Sequence, residues 1–301
     1  MILFAAALLL ASAQSRDSLV DRIQARIQME PGAQVGLAYI DLTSGDTLFL
    51  NADTSFHAAS TMKVPAMIAL FRRASAGGFA MDQQLMVVNQ FASIVDGSPY
   101  ALDPHSDSDT TLYQRVGRRV RVDTLLRLMI TRSSNLATNT LIALVGAEEV
   151  NRTMRSLGAQ RMQVLRGVED GKAFDKGLIN TTTARDLATV LRAIEEGRAA
   201  SPEATSEIRR LLLAQEFNEK IPAGLPAGTP VAHKTGEIAA HSHDAAIVYP
   251  PGRRPYVLVV LTRGIQDGAR ASKLIADISS IVYARNSAHA TTPSGQITQR
   301  Q

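Results

Sequence analysis

Ser60-Thr61-Met62-Lys63-Val64-Pro65 opens an apolar run that continues to about Ala74 and ends at Gly77-Gly78. A free hydroxyl is a poor nucleophile at neutral pH and needs a base within hydrogen-bond reach. Positions three apart share one face of a helix, so a helix starting at Ser60 sets Lys63 beside the Ser60 hydroxyl. Buried there, Lys63 would lose affinity for its proton through desolvation and nearby positive charge, and could act as a base. S-x-x-K alone is a common accident of helix starts, and its weight comes from two groups that follow it in the chain.

The first is Ser133-Ser134-Asn135, in front of an apolar stretch, Leu136 to Val145. Residues two apart share a face in an extended or turn segment, so Ser133 and Asn135 can both point into a cleft. The hydroxyl can relay a proton, and the carboxamide can hold a substrate amide and the lysine. Read alone, the same residues are a helix cap. The second is Lys234-Thr235-Gly236-Glu237, after His233 on an expected strand. An ammonium beside a hydroxyl suits a substrate carboxylate, and Gly236 lets substrate approach the strand edge.

Periodicity fills in the rest. A helical stripe runs from Asp17 to Met29, followed by strands at Gln34 to Ile40 and Asp46 to Leu50 around a Ser44-Gly45 turn. The stretch from Met81 to Leu225 is mostly helical in pattern: Val122 to Thr131, Leu136 to Val145, Ala147 to Leu157, Thr183 to Glu196 and Pro202 to Leu213. After Pro222, Gly224, Pro226 and Gly228 come strands at Val231 to Glu237, His243 to Tyr249 and Tyr256 to Thr262, then a helix from Ala269 to Tyr283. Strands first and last with helices between predict one antiparallel sheet built from both ends of the chain and an inserted helical lobe. The S-x-x-K helix begins at the crossing between the two lobes.

The 301 residues suffice for a sizeable core, and 45% hydrophobic with 20% charged residues is ordinary for a globular chain. A net charge of +4 without a dense basic tract gives no reason to expect nucleic acid as a partner. Cysteine is absent, which excludes disulfides, thiolate catalysis and Cys-based metal sites. Residues 1–13 read as a signal peptide: an apolar run from Ile2 to Leu10, then Ala11-Ser12-Ala13 as the cleavage site. That run is too short to span a bilayer. The mature chain is expected to begin near Gln14, to be periplasmic or secreted, and to carry no membrane-integral segment. From Asn286 to Gln301 the tail is polar and expected to be disordered.

In this order and spacing, S-x-x-K, S-S-N and K-T-G resemble the penicillin-recognising serine hydrolases, whose middle group is usually S-D-N. The likeness is closest to the class A β-lactamase family and covers about Asp17 to Tyr283. Thr181-Thr182-Thr183-Ala184-Arg185-Asp186-Leu187-Ala188 is similar to the threonine-rich start of the helix after that family's omega loop. His243-Asp244-Ala245-Ala246-Ile247-Val248 is similar to the strand after K-T-G. The resemblance implies an α+β fold: an antiparallel sheet flanked by helices, with a sheet lobe at about 17–74 and 226–285 and a helical lobe at about 75–225. It implies Ser60 as nucleophile, Lys63 as its activator, and Ser133 as the group that protonates the lactam nitrogen. The backbone N–H groups of Ser60 and Glu237 would form the oxyanion hole. Asn135 would bind the acylamide, Lys234 and Thr235 the carboxylate. No metal or cofactor is implied, and a monomer acting on a small β-lactam or a peptidoglycan-derived substrate is expected.

Deacylation is where the sequence departs from the family. There a glutamate in Glu-x-x-x-Asn orients the attacking water; here the loop reads Arg166-Gly167-Val168-Glu169-Asp170-Gly171-Lys172-Ala173. Glu169 is the candidate base and Asp170 its neighbour, but Ala173 stands where asparagine would. The step from Arg166 to Glu169 is one residue longer than usual, and Asn180, in place of an aspartate, cannot ion-pair with Arg166. A D,D-peptidase with slow deacylation is therefore the alternative to a β-lactamase, and a non-catalytic wall-binding module is disfavoured by the intact S-x-x-K. His241-Ser242-His243-Asp244 reads as packing or cleft rim rather than a metal site, His233 as a tuner of Lys234 or a packing residue, and Arg263 as a candidate carboxylate partner. Pro104-His105-Ser106-Asp107-Ser108-Asp109 reads as a solvated loop bordering the cleft.

Overall fold

The structure, a computed structural model, describes residues 19–288. The signal segment and the residues after Ala288 lie outside them. Helix α1 covers 19–28. Strands β1 (Gln34–Asp41), β2 (Thr47–Leu50) and β3 (Phe56–His57) lead to a 3₁₀ turn at Ala59–Met62 and helix α2 (Lys63–Ser75). The middle of the chain holds short strands β4 (Gln84–Met86), β5 (Phe91–Ala92), β6 (Pro99–Tyr100) and β7 (Arg119–Arg121). Helices α3 (Val122–Thr131), α4 (Asn135–Val145), α5 (Ala147–Ser156) and α6 (Gly171–Asp175) follow, then β8 (Thr181–Thr182), α7 (Ala184–Glu195) and α8 (Pro202–Leu213). The chain closes with β9 (Val231–Ile238), β10 (His241–Val248), β11 (Tyr256–Arg263) and α9 (Gly268–Ala288).

Five strands form one antiparallel sheet in the order β2-β1-β11-β10-β9, so its two halves come from opposite ends of the chain. Both faces are buried, which is why these strands read as continuous apolar runs rather than alternating ones. Side chains still alternate. Leu37, Tyr39, Leu258 and Val260 pack against α1 and α9, while Ala38, Ile40, Val257, Val259 and Leu261 face the larger core built on α2. Helix α2 is buried around its whole girth from Lys63 to Phe71, as the axis of the helical layer must be.

Four expectations change. The helix does not start at Ser60: Ser60 lies in the 3₁₀ turn and the α-helix begins at Lys63. Pro65 has no N–H to donate to the Thr61 carbonyl, so an α-ladder cannot begin there. Helix α9 runs to Ala288, three residues into the segment expected to be disordered. Between Met81 and Arg121 the chain forms small two-stranded antiparallel sheets, β4 with β7 and β5 with β6, rather than long helix. The loop at Pro104–Asp109 is not solvated throughout, since Asp107 and Asp109 are buried.

Candidate active site

Ser60, Lys63, Ser133, Asn135 and Lys234 come together where the 3₁₀ turn, α2, α4 and the edge strand β9 meet. Lys63 is fully buried and its Nζ lies 3.0 Å from Ser60 Oγ, 3.0 Å from Ser133 Oγ, 2.6 Å from the Ser133 carbonyl and 2.8 Å from Asn135 Oδ1. An ammonium has three protons and no lone pair, so four oxygens exceed its capacity. A neutral amine also serves three partners, donating to the carbonyl and the carboxamide and accepting from one of the two serine hydroxyls, so in either form one of the four contacts is shared. Burial, opposed by the charges of Asp107 and Glu169, pushes Lys63 down to about 7 from an ordinary 10.5. Half of it is then neutral near pH 7, which suits a general base.

Ser133 holds the other end of a proton path. Its hydroxyl also accepts from Lys234 Nζ at 3.1 Å, and Lys234 donates again to the Thr235 carbonyl at 3.0 Å. Lys234 is buried and pushed far below its usual range, by desolvation first and then by Lys63 and Lys220. Strand β9 is the sheet edge, in register Lys234↔Ala245, Thr235↔Asp244 and Gly236↔His243. Gly236 lies close under the nucleophile turn: a Cβ there would stand 3.0 Å from Ser60 N and 3.2 Å from the Ala59 Cβ. Any side chain would push the strand away from Ser60.

Strain marks the site. Ala59, Ser133 and Glu169 have positive φ of 45°, 59° and 62° without being glycine. Each is held by its surroundings. His57 Nδ1 accepts from Ala59 N–H at 2.9 Å, and the ring lies near Phe174 and His241. Burial pushes His57 down to about 4, so it is neutral and able to accept.

Asp107 is the residue that the sequence reading misplaced. It accepts from the backbone N–H groups of Asn135 and Leu136 and from the Tyr113 hydroxyl at 2.9–3.0 Å. It therefore caps α4 and fixes the direction of Asn135. The composition of its loop gave no sign of this.

Glu169 is bound by Asn135 Nδ2 at 2.6 Å, so one carboxamide bridges Lys63 and Glu169. Desolvation raises the Glu169 pKa, with the Asn135 hydrogen bond opposing. Ser60 and Glu169 line one cavity of about 540 Å³ with His57, Arg166 and Phe174. Asp170 is committed to structure: it accepts from Ser93 Oγ, Ile94 N–H and Ala173 N–H, capping α6. Ala173 is buried beneath that cap. Asn139 clamps the loop from α4, accepting from Val168 N–H at 2.6 Å and donating to its carbonyl at 3.0 Å. Gly167 makes room, since a Cβ there would fall 2.2 Å from Asn139 Oδ1.

Asn180 closes the loop without charge. Its Oδ1 accepts from Leu165 and Arg166 N–H, and its Nδ2 donates to the Arg166 carbonyl. The Arg166 guanidinium goes to the Leu178 and Gly167 carbonyls instead of a carboxylate.

The remaining candidates resolve into supports. His233 Nδ1 lies 3.0 Å from Asp244 Oδ1, and Asp244 Oδ2 accepts from Ile221 N–H. His243 Nε2 donates to the His57 carbonyl and is pushed down to about 3 by burial. Arg263 binds Gln34 and the Ser55 carbonyl and lies over the Phe56 ring, outside the lining of the cavities at Ser60. Lys220, which the sequence reading passed over, is buried with its Nζ 2.7 Å from Glu237 Oε1.

The sequence profile of the beta-lactamase enzyme family matches residues 18–285. The chain belongs to this family. It is a serine hydrolase of the class A β-lactamase type, as the three motifs imply. The β-lactamase AST-1 of Nocardia asteroides is 32% identical over 263 residues, covering 86% of this chain and 81% of that protein. The solved structure of PBP-A is 29% identical, with a TM-score of 0.79 over 90% of this chain and 96% of PBP-A. A point mutant of PBP-A, solved as an acyl-enzyme complex with penicillin G, is 30% identical, with a TM-score of 0.78 over 90% of this chain and 97% of that one. Among the described residues of this family member, no helix is long and apolar enough to cross a membrane.

Proposed function

We propose that the chain hydrolyses the β-lactam amide bond through an acyl-Ser60 intermediate. The buried Lys63 amine, shared between Ser60 Oγ and Ser133 Oγ, carries the reading. Lys63 takes the Ser60 proton as Oγ bonds to the lactam carbonyl carbon. The oxyanion that forms is held by the backbone N–H groups of Ser60 and Glu237. As the C–N bond breaks, Ser133 delivers a proton to the leaving nitrogen and is resupplied from Lys63. Lys234 and Thr235 bind the substrate carboxylate, Gly236 admits the substrate to the strand edge, and Asn135 binds the acylamide while holding Lys63 and Glu169. Glu169 then takes a proton from water as the water oxygen bonds to the acyl carbon; the C–Oγ bond breaks, and that proton is returned to Oγ, which restores the Ser60 hydroxyl and the Glu169 carboxylate.

A raised pKa and the contact with Asn135 favour Glu169 as that base. The residue four positions on is Ala173, which favours a slower deacylation, and a D,D-peptidase acting on peptidoglycan peptides is the second reading. The acyl-enzyme that the PBP-A mutant forms with penicillin G supports the lactam as acylating substrate. The enzyme would act as an exported monomer, in the periplasm or outside the cell. Benzylpenicillin hydrolysis, followed by loss of lactam absorbance, tests the reading. Ser60→Ala and Lys63→Ala should each abolish it, and hydrolysis surviving in Ser60→Ala would exclude the serine mechanism.

A further inference from the structure

Lys220 stands on a segment pinned from three sides. Ile221 N–H donates to Asp244 Oδ2, Ser279 Oγ donates to the Ile221 carbonyl, and Asn218 Oδ1 meets His233 Nε2 at 3.3 Å. The lysine side chain is 1% exposed, and it opens on a cavity of about 270 Å³ shared with Ser60, Ser133, Thr235 and Glu237. Its ammonium donates to Glu237 Oε1 at 2.7 Å, and Glu219 Oε1 stands 3.5 Å away. Glu237 is of the opposite kind. Its side chain is 59% exposed, on the outermost strand of the sheet. An ammonium sunk this far needs a counter-charge. A carboxylate on so exposed an arm is exchanged for another at little cost.

Lys234 shows what the exchange would serve. As an ammonium, the form a substrate carboxylate favours, its Nζ gives protons to Ser133 Oγ and the Thr235 carbonyl, which leaves one of three for a ligand. One substrate carboxylate oxygen can use that proton and the Thr235 hydroxyl. The other needs a second cation, and Lys220 in the same cavity is engaged by Glu237.

We propose that the Glu237 side chain is an internal occupant of the carboxylate subsite, displaced from Lys220 by the carboxylate of an anionic substrate. Glu237 thereby sets how strongly the site favours anionic over neutral substrates. This rests on the β-lactam reading above and deepens it by assigning a specificity role to a side chain whose backbone alone serves the oxyanion. Besides the more distant Glu219, Lys220 keeps a close counter-ion in both states, Glu237 when the site is empty and the substrate when it is filled.

The test compares acylation by benzylpenicillin and by its uncharged methyl ester, measured as second-order rate constants by intact mass. Glu237→Gln keeps the side-chain length and the backbone N–H but removes the competing charge. It should raise the rate ratio of acid to ester roughly twofold to fivefold, the upper range of a partly exposed ion pair. Lys220→Gln should lower the ratio, and adding Glu237→Gln to it should change the ratio no further. An unmoved or lower ratio in Glu237→Gln overturns the proposal. Phenylacetate, titrated by NMR, reads the same competition without lactam chemistry: Glu237→Gln should tighten its binding about twofold to fivefold. Unchanged phenylacetate affinity overturns the proposal even where both lactams acylate. Tightened affinity in a protein that neither lactam acylates upholds the competition and removes the β-lactam reading instead.

Discussion

Lowering the pH below neutrality should slow acylation of Ser60 about tenfold per pH unit, because in the proposed mechanism Lys63 takes the serine proton and only its neutral form can do so. Burial pushes Lys63 from 10.5 to about 7. An ordinary lysine would be neutral in roughly one molecule in three thousand at pH 7, whereas this one is neutral in about half, a gain of about a thousandfold in available base. The assay is the second-order rate constant for acylation by benzylpenicillin, from quenched intact mass between pH 4.5 and 10. It is best run in Glu169→Gln, which on the proposed mechanism blocks deacylation and which removes a second carboxylate from the profile. The rate should climb to a plateau with its midpoint near or somewhat below pH 7, since Glu169 is one of the charges that hold the proton on Lys63. Asp107 is the larger of them, so Asp107→Asn should move the midpoint further down. A rate that keeps rising to pH 10 would mean an ordinary lysine. A plateau already reached by pH 5 would mean that a carboxylate, not Lys63, takes the proton. Either result refutes the reasoning.

The same lysine ties stability to pH. Below about pH 7 Lys63 is charged in folded and unfolded chains alike and its burial penalty is present in full; between about 7 and 10.5 the folded chain has released a proton that the unfolded chain keeps, so stability rises by up to about 1.4 kcal/mol per pH unit. Lys63→Met should flatten that slope in denaturant titrations, and an unchanged slope contradicts the assignment. Asp107→Ala strips the acceptor from two backbone N–H groups and a tyrosine hydroxyl and should cost about 3 kcal/mol or more, whereas a loss under about 1 kcal/mol would show the α4 cap to be dispensable. Asn180→Ala leaves two N–H groups and a carbonyl of the loop unpaired, at about 2–4 kcal/mol of local stability. Proteolysis should then begin between Leu165 and Ile179, and cleavage that starts elsewhere would contradict this closure. His57→Ala removes the acceptor that holds Ala59 at positive φ and should slow acylation about tenfold, with partial rescue in His57→Asn; equal loss in both variants would contradict the role of the ring nitrogen.

The parts of the molecule legible in its sequence are those whose causes are local. The sheet strands announce themselves because both faces are buried, and α3, α7 and α8 because one apolar stripe runs down each. Ser60 and Lys63 stay neighbours although the helix starts three residues later than expected, because spacing by three survives in a 3₁₀ turn as well as in an α-helix. What the sequence hides is long-range. Asp107 lies among serines, a histidine and other aspartates and reads as a solvated loop, yet it serves N–H groups 28 and 29 residues away. His57 looks like a strand residue until its ring is seen to hold the Ala59 turn. Lys220 follows a glutamate at what reads as a loop, and only the fold sets it against Glu237. Asn180 reads as the loss of an ion pair, but its amide makes three hydrogen bonds with the backbone at Leu165 and Arg166.

The central claim is that water reaches the acyl-Ser60 intermediate with Glu169 as base, despite Ala173 in the loop. An intact-mass time course with benzylpenicillin tests it directly, comparing the wild-type protein, Ser60→Ala and Glu169→Ala. Expected are a wild-type adduct that appears and then vanishes as penicilloate accumulates, no adduct in Ser60→Ala, and a persistent one in Glu169→Ala. A wild-type adduct that persists for hours, or Glu169→Ala turning over like wild type, would contradict it.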